Sequence, residues 1–184
     1  MDKLSNNCNS PSFNGVLLGK TKIFKRSANG SLENVHFVEM DSKNPFDKFT
    51  LSSLKNIWAS GRFTEMICSK TGNPNDKIYA LTTQADNFEQ INPNKVVSLA
   101  CGARYDDVFR LRFLQTKYDE YKHAGKATLL SIADNAKING IKTVEVFVEE
   151  RIKPFYRKVF PNIQDKPCTK ESSANMILKI ADDN

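Results

Sequence analysis

The 184-residue chain holds only two histidines and four cysteines. The cysteines, Cys8, Cys68, Cys101 and Cys168, never form a C-x-x-C pair. That spacing argues against a zinc ribbon or a disulfide framework and suits a reducing compartment. A His/Cys metal site is therefore not expected, and Cys101 in the apolar stretch "VVSLACG" reads as a small buried hydrophobe. No apolar run approaches the ~20 residues needed to cross a bilayer. The polar start, "MDKLSNNCNS", lacks the apolar segment of a signal peptide. Neither the P-loop pattern G-x-x-x-x-G-K-S/T nor the dinucleotide pattern G-x-G-x-x-G occurs. These absences leave a soluble, cytoplasmic protein without metal or membrane span as the expectation.

What is present is enough for one globular domain: 40% hydrophobic residues, with a formal charge of +6. A chain of this size buries roughly 70% of its unfolded surface and needs no staples. The positive charge suits nucleic acid or a smaller polyanion such as a phosphate-bearing cofactor, and charge alone does not choose. Lys and Arg are scattered, however, with no arginine-rich arm or recognition motif, so nucleic acid is not the expected partner.

Residues 1–15, rich in Asn and Ser, read as a flexible segment before a single domain spanning 16–184. "GKTKIFKR" and "NVHFVEMD" read as strands joined by a turn at Asn29-Gly30, after which "KNPF" breaks the pattern. Leu51, Leu54, Ile57 and Trp58 recur at helical spacing, and Phe63, Met66 and Ile67 suggest a second short helix. "KIYALTTQ", "KVVSLACGARY" and "VFRLRFLQT" form an antiparallel run, with a hairpin tip at Asp106-Asp107. In the last strand Phe109, Leu111 and Phe113 alternate with Arg110 and Arg112. A helix with Leu129, Leu130, Ala133 and Ala136 on one side follows, stopped at Asn139-Gly140. The strand "KTVEVFVEE", a short helix "KPFYRKVF" and a closing strand "NMILKIA" complete the order. The expected class is α/β (α+β), a mixed, mostly antiparallel central sheet with helices on both faces.

The segment "YKHAGKATLL" carries the chemistry. A strand running into a glycine-containing turn and then a helix is an anion site, because the first helical N–H groups lack internal partners and sit at the positive end of the dipole. Gly125 has no side chain to block those amides, Ala127 keeps the approach shallow, and Lys122, His123 and Lys126 add positive charge. Read without its surroundings, the same glycine is first a turn residue beside solvated lysines.

The longer stretch "LRFLQTKYDEYKHAGKATLLSIADNAKINGIKTVEVFVEERIKPFYRKVF" resembles the core of the GNAT superfamily of acetyl-CoA-dependent N-acetyltransferases. "KHAGKA" matches the family's Q/R-x-x-G-x-G/A turn, and Phe155-Tyr156 stand where the family places an aromatic pair. The resemblance covers about residues 78–160. It implies acetyl-CoA as cosubstrate and an amine, on a small molecule or a protein, as acceptor. The backbone of Leu114, Gln115 and Thr116 would take the acyl and pantetheine region. Lys122, His123, Ala124, Gly125, Lys126, Ala127 and Thr128 would hold the pyrophosphate. Tyr156 would be the general acid near the sulfur, its phenol of pKa about 10 standing beside a thiol of about 8.5.

An amine acceptor of pKa about 10.4 is neutral in roughly one molecule in two thousand at pH 7, so a base or a water relay is required. Glu145 and Glu149 are the first candidates, with Glu150 and Glu65 behind them and Asp106 and Asp107 read as turn formers. The chain departs from the family at Lys122, which replaces Gln or Arg, and at Glu149, where many members carry an asparagine. "KVFPN" replaces the common Gly-Phe ending. These departures support a second expectation, a catalytically inactive coenzyme A-binding or regulatory module of the same fold. A homodimer through pairing of the final strand is also expected.

Overall fold

The computed structural model describes residues 16–26, 30–58, 64, 66, 67, 75–117, 119–167 and 174–180. The N-terminal segment 1–15, Asn29, Phe63, Glu65, Cys8, Cys68 and Cys168 lie outside the described residues. Strands β1 (Val16–Lys25) and β2 (Ser31–Met40) pair antiparallel. Helix α1 (Pro45–Ile57) follows, then β3 (Asp76–Thr82), β4 (Val96–Tyr105) and β5 (Val108–Thr116). The two-residue β6 (Tyr121–Lys122) leads into α2 (Ala124–Ile138) and β7 (Thr143–Val146). Helix α3 (Lys153–Val159), β8 (Gln164–Asp165) and β9 (Met176–Lys179) close the order.

Among the described residues nine strands form one sheet, in the order β6-β1-β2-β3-β4-β5-β7-β9-β8. Each neighbouring pair is antiparallel except β5 and β7, which run parallel. The parallel pair is joined through α2, the crossover a parallel connection requires.

Alternate residues feed two cores. Tyr79 and Leu81 of β3, with Phe109, Leu111, Val144 and Val146, meet α2 and α3 through Ile132, Ala136 and Tyr156. Ile78 and Ala80, with Leu99 and Cys101, meet α1 through Leu51, Leu54 and Trp58. The expected helices on both faces are thus present. "KNPF" is the start of α1 rather than an interruption: the Asn44 side chain accepts from the Phe46 N–H, and Pro45 occupies the first turn, where no donor is missed. Thr64, Met66 and Ile67 are helical.

Two periodicity readings shift. Leu130 is exposed, and Ile132 takes the core position on α2. Phe113 does not share a face with Phe109 and Leu111, because a bulge on β5 flips the alternation after Leu111. Within the chain, β8 pairs with the final strand β9 at Met176 and Ile177.

Candidate active site

The bulge in β5 is built by a glycine on the neighbouring strand. Cys101 faces Phe113 and Gly102 faces Leu111, so Arg112 is the extra residue. A Cβ on Gly102 would stand 2.5 Å from the Arg110 carbonyl oxygen and 2.5 Å from the Phe109 ring. Only glycine fits there. Beyond the bulge Leu114 packs toward the α2 side, and Phe113 toward the α1 side.

The same point marks where β5 and β7 part. Their parallel pairing runs from Val108–Thr143 to Leu111–Val146 and stops. Beyond it Phe113–Thr116 go on pairing with β4, while β7 ends at Val146. The resulting wedge opens toward the start of α2. A methyl group on Gly125 would lie 3.6 Å from Thr116 Cγ2, 3.6 Å from Phe155 Cζ and 3.9 Å from Leu114 Cδ2. Strand β5, the first turn of α2 and the start of α3 therefore converge on one glycine.

Gly125 is not the turn residue. It lies inside α2, whereas His123, the residue before the helix, takes the left-handed conformation at φ 68°. Histidine is one of the few side chains enriched there. Its side chain makes no cap hydrogen bond. The first intrahelical bond runs from the Ala127 N–H to the His123 carbonyl at 2.9 Å, so the amides of Ala124, Gly125 and Lys126 precede it. Lys126 is exposed beside them.

Four of the expected binding residues are arranged differently. Lys122 directs its ammonium over the Phe24 ring, 5.8 Å from the centroid, rather than to the helix start. Ala124 and Ala127 are buried against the core, so they offer backbone only. Thr128 is fully buried, its hydroxyl 2.7 Å from Ser98 Oγ and 2.9 Å from the Ala124 carbonyl. Ser98 in turn donates to the Gln115 carbonyl at 3.1 Å. This buried chain ties α2 to β4 and β5 beneath the wedge and leaves the Thr128 hydroxyl unavailable to a phosphate.

Of the acid–base candidates, Tyr156 is buried beside Phe155 in an edge-to-face contact, ring centroids 5.6 Å apart. Burial pushes its pKa up to about 12, so the phenol stays protonated at any physiological pH. Glu145 does not fit the role of free base. It is buried between Arg110, 3.1 Å from Nε, and Lys166 Nζ, and both of its oxygens are taken up by these two cations. Glu149 sits at the mouth beyond β7, exposed and 2.6 Å from Arg151 Nε. Glu150 pairs with Lys153 at 2.6 Å. Asp106, at φ 49°, and Asp107 form the β4–β5 hairpin tip, as read. Glu65 lies outside the described residues. No cluster of His, Cys, Asp or Glu suited to a metal occurs among the described residues. None of their helices is long and apolar enough to cross a membrane.

With this geometry, comparison with solved structures is decisive for the fold. Tetrahymena GCN5 superposes with a TM-score of 0.57 at 13% identity, covering 79% of this chain and 96% of that one. The ribosomal-protein-S18-alanine N-acetyltransferase from Escherichia coli gives 0.56 at 13% identity, covering 82% and 96%. The fold is that of the GNAT acetyltransferases. YhhK from E. coli, solved bound to coenzyme A, has the same GNAT arrangement at a TM-score of 0.51 and 12% identity, over 80% of this chain and 98% of its own. No family model matches the sequence, and no curated protein is significantly similar to it.

Two features of this GNAT frame were not read from the sequence. Gly102 offered a signal, since a glycine inside an apolar strand marks a bulge or a close backbone approach. Asn175 offered none. It stands just before β9, and its side chain bonds the backbone of Val148 twice.

Proposed function

We propose that the protein is an N-acetyltransferase that moves an acetyl group from acetyl-CoA to a primary amine. One observation carries this reading: Leu114, Thr116 and Phe155 close around Gly125 at a helix start whose first amides precede any intrahelical bond. A Cβ there would meet all three side chains at ordinary contact distance, and the glycine keeps the backbone of the helix start bare. The amides of Ala124, Gly125 and Lys126, with the exposed Lys126 ammonium, hold the pyrophosphate. The backbone of Leu114, Gln115 and Thr116 lines the acyl and pantetheine path where β5 has parted from β7.

Acetyl-CoA, when bound, supplies the activated acetyl thioester. Tyr156 keeps its proton and donates a hydrogen bond to the departing sulfur. Complete transfer from a phenol of pKa about 12 to a thiolate of ordinary pKa about 8.5 is uphill, so stabilisation of developing charge is its contribution. Glu149, exposed at the mouth, relays the acceptor's proton to solvent. One specific observation favours the second reading, a coenzyme A-binding module without turnover: Glu145 is locked between two cations, and Glu149 is shared with Arg151.

The test is thiol release from acetyl-CoA by the purified protein across lysine peptides, polyamines and aminoglycosides. Release with at least one amine is expected. Coenzyme A binding with no release from any amine would favour the module.

A further inference from the structure

Strand β7 is only four residues long, yet the wall of the wedge continues past it through Phe147, Val148 and Glu149. The final ladder pair to β9 is Val146–Met176. Beyond it Asn175 takes over, using its main chain and its side chain together. Its backbone N–H donates to the Val146 carbonyl at 3.0 Å, and its carbonyl accepts from the Lys166 N–H at 2.8 Å. Its Oδ1 accepts from the Val148 N–H at 3.0 Å, and its Nδ2 donates to the Val148 carbonyl at 2.7 Å. A primary amide reproduces the donor and acceptor of a peptide unit, so one side chain pairs with Val148 as a strand residue would.

The consequence falls on the wedge. Val148 is buried in the core that contains Tyr156, while its neighbours Phe147 and Glu149 are exposed. Fixing the Val148 backbone on the β9 side fixes how far this wall stands from Arg112–Thr116 of β5. We propose that Asn175 is a positioning residue that holds the β7 extension away from β5, keeping the wedge open to the acyl end of the cosubstrate. It acts through Val148 and touches no reacting atom. The inference rests on the acetyltransferase reading above, but the clamp itself is measurable without any ligand.

Asn175→Ala removes both side-chain bonds. Asn175→Asp keeps the size and the acceptor but sets an oxygen against the Val148 carbonyl, so it serves if the alanine variant does not fold. Amide hydrogen exchange is read first, without ligand. The Val148 N–H is expected to be protected in the wild type and at least tenfold faster in Asn175→Ala. Fast exchange in the wild type overturns the proposal. Coenzyme A titration and turnover are read next. Either variant is expected to weaken coenzyme A binding and raise the KM for acetyl-CoA about tenfold, with kcat changed less. Unchanged affinity and KM in a variant that has lost Val148 protection also overturn it. A clamp seen by exchange in a protein that binds no coenzyme A contradicts the acetyltransferase reading and, with it, the role given to Asn175.

Discussion

The two ends of α2 are finished in opposite ways. At the C-terminal end nearly every carbonyl is taken. The Asn139 N–H reaches the Asn135 and Ala136 carbonyls, Gly140 bonds to Lys137, and Ile141 bonds to Ala136. The Asn139 side chain donates again to the Asn135 carbonyl, and Arg104 donates to the Asn139 carbonyl. Gly140, at φ 68°, makes the reversal that this closure needs. At the N-terminal end the residue before the helix is left-handed His123, with no side-chain cap, and nothing in the sequence supplies Ser, Thr, Asp or Asn there. Helix α1, by contrast, carries an Asn44 cap and an acidic side chain in its first turn. One end of α2 is built to be complete without a ligand, and the other is not.

Substitution at the open end should have the largest effect. In Gly125→Leu the added side chain enters the space bounded by Thr116, Phe155 and Leu114, so coenzyme A affinity should fall at least 100-fold by calorimetry. The melting temperature should fall by no more than several degrees, since leucine's better helix propensity, up to about 1 kcal/mol, offsets part of its crowding against those side chains. Gly125→Ala should lose far less, because its methyl meets those neighbours at ordinary contact distance. Retained affinity in Gly125→Leu would remove the distinction between the ends.

Tyr156→Phe comes next. It keeps the edge contact with Phe155 and removes only the donor, so kcat should fall about tenfold with little change in the KM for acetyl-CoA. Gly140→Ala probes the closed end. Nothing lies within 4 Å of the added methyl, so its cost is backbone strain alone, about 1–2 kcal/mol in a denaturant melt. Coenzyme A binding should be untouched.

The smallest effect concerns the start of α1. Asp47 is fully buried; its Oδ2 accepts from the Asp41 N–H at 2.7 Å, and its Oδ1 has no hydrogen-bond partner among the described residues. Burial above all, with the nearby Asp41 charge adding and the Asp41 N–H opposing, raises its pKa to about 6. The folded state thus binds the proton more tightly than the unfolded chain, whose carboxyl titrates near 3.9. Stability from this group is greatest below about pH 4 and declines as pH rises through about 6. Asp47→Asn should therefore melt about 2–4 °C above wild type at pH 7, the shift expected of about 1 kcal/mol at this chain length, with the gain vanishing near pH 4.

The contrast between the ends of α2 also shows what the sequence could reveal. Asn139-Gly140 was legible as a stop because glycine at a left-handed position is a local requirement. The strand order and the run from β5 through α3 were legible for the same reason, since periodicity and turn residues act over a few positions. At the open end only the importance of Gly125 was legible, not its conformation, because the left-handed residue is His123, which has a Cβ and gives no comparable signal. Non-local pairings were hidden. Glu145 looked like a base on a valine strand, and only the sheet brings Arg110 across from β5 and Lys166 from the segment after β8. Thr128 looked like part of an anion site until Ser98, thirty positions away, took its hydroxyl. The flip of Phe113 depended on a glycine in a different strand.

The central claim, that the open start of α2 is the coenzyme A pyrophosphate cradle, is tested most directly by backbone amide NMR during titration with coenzyme A. The account predicts that the N–H signals of Ala124, Gly125 and Lys126 shift most, in parallel and saturably, while those of Asn139 and Gly140 at the closed end stay in place. Saturable binding that leaves Ala124, Gly125 and Lys126 unshifted, or no binding at all, would contradict it.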